Sequence, residues 1–126
     1  MYYDEIAQLL GLTFKSVEQT GDDGVKFITT DDVVYLMEHR QDCCESVYLE
    51  DITGDLKDLV GSPILVAEES CNYGDPKSET YGDHTYQDES STWTFYKLAT
   101  NKGWVDFRWY GSSNGYYSES AGVYKQ

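Results

Sequence analysis

Apolar and polar residues alternate along most of this chain, and the alternation divides it into short strands. Residues 12–19, LTFKSVEQ, set Leu12, Phe14 and Val17 among polar neighbours, and 25–29, VKFIT, and 33–39, VVYLMEH, continue the pattern. A two-residue period places successive side chains on opposite faces of a sheet. GDDG at 21–24 and TDD at 30–32 read as turns, because Gly and Asp accept the backbone angles that a reversal needs. The three strands make an antiparallel meander, and 45–52, ESVYLEDI, adds a fourth with Val47 and Leu49 on one face.

Helical spacing is confined to two places. Tyr2, Ile6, Leu9 and Leu10 fall on one side of a short N-terminal helix. Asp4 and Glu5 suit the positive end of its dipole, and Gly11 stops it. Leu56, Leu59 and Val60 share a face in TGDLKDLVGSP, which Gly61 and Pro63 end. PILVAEES at 63–70 then gives a short buried strand. Residues 70–90 have no period and are almost wholly polar, so a long mobile loop is expected there.

The carboxyl third carries the strongest pattern. STWTFYKLAT and WVDFRWYG flank NKG, a hairpin signal. Val105, Phe107 and Trp109 alternate with Trp104, Asp106, Arg108 and Tyr110, so the first set is expected in the core and the second on a mixed face. SSNG at 112–115 is a second turn, and YYSESAGVYK a closing strand. The expected fold is a single α+β domain over 1–126: a mainly antiparallel twisted sheet, a short N-terminal helix and one small helix near residues 55–60.

Composition changes this picture in one respect. There are 23 acids against 9 bases, a net charge of −14. Residues 90–126 hold only two of the acids, Asp106 and Glu119, but four of the bases and 10 of the 19 aromatics. The rings near the carboxyl end build core strands, and the chain ahead of them carries the charge. Such a balance opposes direct binding of nucleic acid, which requires Lys and Arg on phosphates, and of an anionic membrane. No run approaches the length of an apolar membrane span, and MYYDEIAQLLGL lacks the features of a signal peptide. Three cysteines, an odd count, fit free thiols better than a disulfide framework. A cytoplasmic location is therefore expected.

Two segments carry a resemblance. VVYLMEHRQDCCESVYLEDITGDLKDLVGSPILVAEE (33–69) and STWTFYKLATNKGWVDFRWYGSSNGYYSES (91–120) resemble a small-protein family of tailed phages, prophages and their bacterial hosts. The shared features are the H-x-Q-D-C-C-E core, the G-x-L-x-D-L-[VI]-G segment and the T-F-Y-K-[LI]-A-T-x-K-G hairpin. The resemblance implies a phage or prophage origin and an accessory role against host systems. It carries no activity and transfers no site residue.

Three chemistries compete for the polar residues. His39, Asp42, Cys43 and Cys44 lie within six positions and include good zinc ligands, with Cys71 and His84 available to complete a set. Adjacent cysteines on a strand point to opposite faces, however, and no CxxC spacing exists. A cysteine nucleophile paired with His39 lacks the electropositive setting that it requires. No metal, cofactor or catalytic residue is expected. The acid doublets are Asp22–Asp23, Asp31–Asp32, Glu50–Asp51, Glu68–Glu69 and Asp88–Glu89; the first three are expected to meet a host protein with a basic surface, for example one that handles nucleic acid. Alternatively, Trp104, Arg108, Tyr110 and Tyr116 form an aromatic and Arg pocket for a nucleotide-like small ligand. The expected function is thus a non-enzymatic, acidic binder or inhibitor of a host protein in the bacterial cytoplasm, with small-ligand binding as the alternative.

Overall fold

The computed structural model describes residues 5–21, 24–41, 45–73, 78–81, 84–87, 90–113 and 119–126. Two four-stranded antiparallel sheets face each other. The first is built from β1 (Phe14–Gln19), β2 (Gly24–Thr29), β3 (Val34–Glu38) and β10 (Gly122–Lys125), in the order β1-β2-β3-β10. The second contains β4 (Ser46–Thr53), β5 (Val66–Tyr73), β8 (Ser90–Thr100) and β9 (Gly103–Ser113), in the order β4-β9-β8-β5. A separate two-stranded ribbon pairs β6 (Ser78–Tyr81) with β7 (His84–Gln87).

The core lies between the sheets. Phe14, Val25, Phe27, Met37 and Val123 of the first meet Leu49, Tyr96, Leu98, Val105, Phe107 and Trp109 of the second. Phe27 and Phe107 touch across the layers in an edge-to-face pair, with ring centroids 6.2 Å apart. Val105, Phe107 and Trp109 are fully buried, as their alternation predicts. Residues 60–65 join the layers: the Ile64 amide donates to the Leu12 carbonyl at 2.9 Å, and the Leu65 amide to the Ala99 carbonyl at 2.8 Å.

Several expectations change. The mainly antiparallel sheet is as expected, but the architecture fits α+β poorly, because both expected helices are short 3-10 segments, Glu5–Leu9 and Leu56–Leu59. The bonds from the Leu10 amide to Ala7 and from Leu12 to Leu9 close three-residue loops. In a 3-10 helix residues three apart eclipse, so Ile6 and Leu9 share one side, and both are buried. A segment this short gains its stability from that burial and not from propensity. The second segment lies where it is expected, capped by the Asp55 carboxylate, which accepts from the Lys57 amide at 2.9 Å.

The fourth strand of the meander, β4, belongs to the second sheet, paired with β9. The closing strand, β10, leaves the β8–β9 hairpin and pairs with β3. The polar stretch at 70–90 includes the end of β5, the β6–β7 ribbon and the start of β8. Its ladder sets Thr80 opposite Thr85 and Glu79 opposite Tyr86. Thr and Tyr favour strands despite their polarity, which is why a reading based on apolar period misses them. Among the described residues no helix is long and apolar enough to cross a membrane.

Of the tryptophans, Trp109 fills the core and Trp104 is 60% exposed. Urea unfolding of Trp109→Ala should show a loss of about 3–5 kcal/mol, and of Trp104→Ala a change within about 0.5 kcal/mol. Equal losses would contradict this assignment of faces.

Candidate functional site

Because β8 and β9 bury one face, their other face points away from the first sheet. The hairpin register sets Trp93 opposite Tyr110, Phe95 opposite Arg108, Lys97 opposite Asp106 and Ala99 opposite Trp104. On the flanks, β5 places Asn72, Ser70 and Glu68 beside Trp93, Phe95 and Lys97. On the far side, β4 places Tyr48, Asp51 and Thr53 beside Tyr110, Arg108 and Asp106. Rings and charges thus share one outer sheet face.

A β-bulge shapes its centre. The pairing of β4 with β9 shifts between Leu49 and Asp51, which leaves Glu50 as an extra residue. Consecutive strand residues ordinarily point to opposite faces; a bulge re-aims them. Both carboxylates consequently reach Arg108. Its Nε and Nη2 donate to Glu50 Oε1 at 3.0 and 2.6 Å, and Nη2 lies 3.8 Å from Asp51 Oδ2. The guanidinium also sits 5.7 Å from the Trp93 ring centroid. Trp93 packs on Tyr110 at 4.6 Å, and Tyr110 on Tyr48 at 6.0 Å.

Among the described residues, two of the hollows on this face lie over its charged and aromatic centre. The larger, about 690 Å³, is lined by Asp51, Glu68, Glu69 and Asp106 around Phe95, with Lys97 and Arg108 as its cations. Both cations are engaged: Arg108 with Glu50, and Lys97 with the Trp104 ring, whose centroid lies 4.1 Å from its amine. The carboxylates of Glu68 and Asp106 make no hydrogen bond or ion pair among the described residues. The smaller hollow, about 230 Å³, lies against Asn72, Trp93, Phe95 and Arg108.

The residues expected from sequence to bind a partner do not form one patch. Asp22 and Asp23 lie outside the described residues. Asp31 and Asp32 occupy the β2–β3 turn of the first sheet, where Asp32 pairs with Lys15. Glu50 and Asp51 are on the second sheet, at Arg108. Of the expected ligand pocket, Arg108 borders both hollows, but Tyr110 is only 2% exposed, packed on Trp93 and Tyr48, and lines neither hollow. Trp104 stands six residues from Tyr110, roughly 20 Å along the strand, and Tyr116 lies outside the described residues. Trp93 and Phe95 carry no sequence signal for this site; Glu68 is read only within an acid doublet and Asp106 only on the mixed face of its strand. A two-residue turn at NKG pairs Thr100 with Gly103; counting outward from it would have brought Trp93 to Tyr110 and Phe95 to Arg108. The pairing of β5 with β8 has no comparable local signal.

The chain matches, over residues 7–123, a family described as a domain of unknown function, DUF7448. It belongs to that family. No curated protein and no solved structure matches this DUF7448 chain.

His39, the residue most suggestive of chemistry, is a structural tie in this DUF7448 protein. Its Nε2 lies 2.7 Å from Glu45 Oε2 and its Nδ1 2.9 Å from the Ser120 carbonyl oxygen. Both ring nitrogens face acceptors, which leaves neither for a metal. Asp42, Cys43 and Cys44 lie outside the described residues, Cys71 is exposed on β5, and His84 falls in β7. Among the described residues no three His, Cys, Asp or Glu side chains gather as a metal site requires. The Glu45 side chain is fully buried, so removing His39 takes an ion-pair partner from a desolvated carboxylate. His39→Ala should cost about 3–5 kcal/mol in urea unfolding, and Arg108→Ala, at the half-exposed pair with Glu50, less than about 1 kcal/mol. A small effect at His39 would show that the tie contributes little.

Proposed function

We propose that this protein is a non-enzymatic binding protein that captures a basic protein surface at the acidic hollow on its outer sheet face. The observation that carries the reading is the charge around that hollow: four carboxylates against two cations, both cations already engaged within the chain. Glu68 and Asp106 are left to attract a partner's Lys or Arg. A concave surface lined by one sign of charge focuses its field and speeds capture of the opposite sign. The rest of the chain, at −14, adds to that field. Phe95 gives the hollow an aromatic wall, on which a guanidinium or ammonium gains attraction to the ring.

Proteins that handle nucleic acid hold phosphates with Lys and Arg, so their cationic grooves are the natural target. The resemblance of its sequence to small phage and prophage proteins supports reading it as an accessory inhibitor of a nucleic-acid-handling or defence protein in a bacterial host cell.

A Lys/Arg-rich peptide should bind this protein, and an acidic peptide of equal length should not. Affinity, measured by calorimetry across a salt series, should fall steeply as ionic strength rises, because surface charges are screened beyond about 10 Å at 0.1 M salt. Glu68→Gln with Asp106→Asn should weaken binding about tenfold, mostly through the association rate. The matched change of Asp31 and Asp32 to Asn should have less effect. Binding indifferent to salt, or equally sensitive to both pairs, would refute the assignment to this hollow.

A further inference from the structure

The smaller hollow has chemistry of a different kind. Trp93 and Phe95 stand two residues apart on the outward face of β8, their rings only 13° from parallel and their centroids 6.5 Å apart. They form an offset-stacked pair, within the usual centroid range of about 4.5–7 Å. The hollow lies against both rings, the Asn72 side chain and Arg108. Asn72 is directly across the ladder from Trp93, and Arg108 directly across from Phe95. One wall therefore offers π-faces, and the rim offers hydrogen-bonding groups.

The rim is specific in what it can accept. An Asn amide presents a donor and an acceptor side by side. Arg108 spends Nε and Nη2 on Glu50, while its Nη1 makes no hydrogen bond among the described residues. Its charge is offset by Glu50 and approached by Asp51, so the rim carries donors without net positive charge. The hollow is smaller than the roughly 300–1,000 Å³ of sites for drug-sized ligands, which suits a single fused ring.

We propose that this hollow is a binding site for a flat, uncharged, hydrogen-bonding heterocycle, a purine base or nucleoside. Aromatic side chains stack on the faces of bases, an Asn amide reads a base edge through paired hydrogen bonds, and Arg108 Nη1 adds a further donor. Phosphate is disfavoured: the chain carries −14, and the neighbouring hollow is lined by four carboxylates. The free nucleoside is therefore the ligand, in preference to its phosphate ester or to a nucleic-acid strand. The proposal does not rest on capture of a basic protein; the two hollows share only Phe95 and Arg108.

The test titrates the full chain with guanosine, adenosine, cytidine and uridine, followed by the indole N–H resonances, with Trp93→Phe used to assign that of Trp93. Guanosine 5′-monophosphate and a short single-stranded DNA form separate arms. A purine nucleoside should shift the Trp93 resonance saturably at millimolar concentrations and leave that of Trp109 in place. Phe95→Leu and Asn72→Ala should each weaken binding about tenfold, in line with the stacking and hydrogen-bond contributions of single bases. The monophosphate should bind several-fold more weakly than the nucleoside. Absence of saturable binding by any nucleoside would overturn the proposal. Equal or tighter binding of the monophosphate or the strand would overturn it too, as would a shift that persists unchanged in Phe95→Leu. None of these outcomes bears on the basic-peptide test, which reads Glu68 and Asp106.

Discussion

Burial of one face of the β8–β9 hairpin against the first sheet is the constraint on which the rest of the molecule depends. Tyr96, Leu98, Val105, Phe107 and Trp109 all point inward and are essentially inaccessible. A fully buried apolar side chain of this size contributes about 1.5–3 kcal/mol, so the hairpin has one strongly preferred orientation. Side chains on a strand alternate without exception in its regular part, and a slip of one residue would exchange the two faces. The same burial that seats Phe107 against Phe27 therefore turns Trp93, Phe95, Asp106 and Arg108 outward. The candidate site is the other side of the core's own pattern.

The far end of the sandwich is closed by polar contacts. The Tyr96 hydroxyl donates to the Ala121 carbonyl at 2.8 Å, and the Thr92 hydroxyl to Glu119 Oε1 at 2.9 Å. Ser113 bonds the other oxygen of Glu119, and His39 bridges the Ser120 carbonyl to Glu45. The backbone of Glu119 runs so close over Gly111 that a Cβ there would collide with its carbonyl. Gly111 is thus a requirement of close backbone approach. Buried ionic groups of this kind add little net stability, since desolvation offsets their attraction. Their effect is to fix where residues 119–121 lie, and with them the path into β10.

The outer face shows how a strongly acidic chain can still hold distinct chemistries side by side. Arg108 is drawn to Glu50 by the bulge in β4, and Lys97 is drawn to the Trp104 ring. With both cations engaged, the carboxylates on one side of Phe95 dominate the local field. On the other side, two near-parallel rings and an amide meet an Arg that is already neutralised. Phe95 is the boundary between a surface governed by charge and one governed by stacking.

Local pattern sufficed for the strands outside the β6–β7 ribbon and for the division of the carboxyl third into inward and outward residues, because a two-residue period is written directly in the order of Val105, Asp106, Phe107, Arg108 and Trp109. It sufficed for the 55–60 turn as well, where Asp55, Leu56, Leu59 and Gly61 lie within seven positions. It did not decide which strands share a sheet. β4 and β10 each exchange the expected neighbour for a distant one, and those pairings depend on how two layers bury their apolar faces together. The site follows the same division. Arg108 and Tyr110 could be read as an outward pair, but Glu68, Asn72 and Glu50 join them only through the β5–β8 register and a bulge in β4. Such contacts are between residues far apart in the chain, and only the closed sandwich supplies the geometry that makes them neighbours.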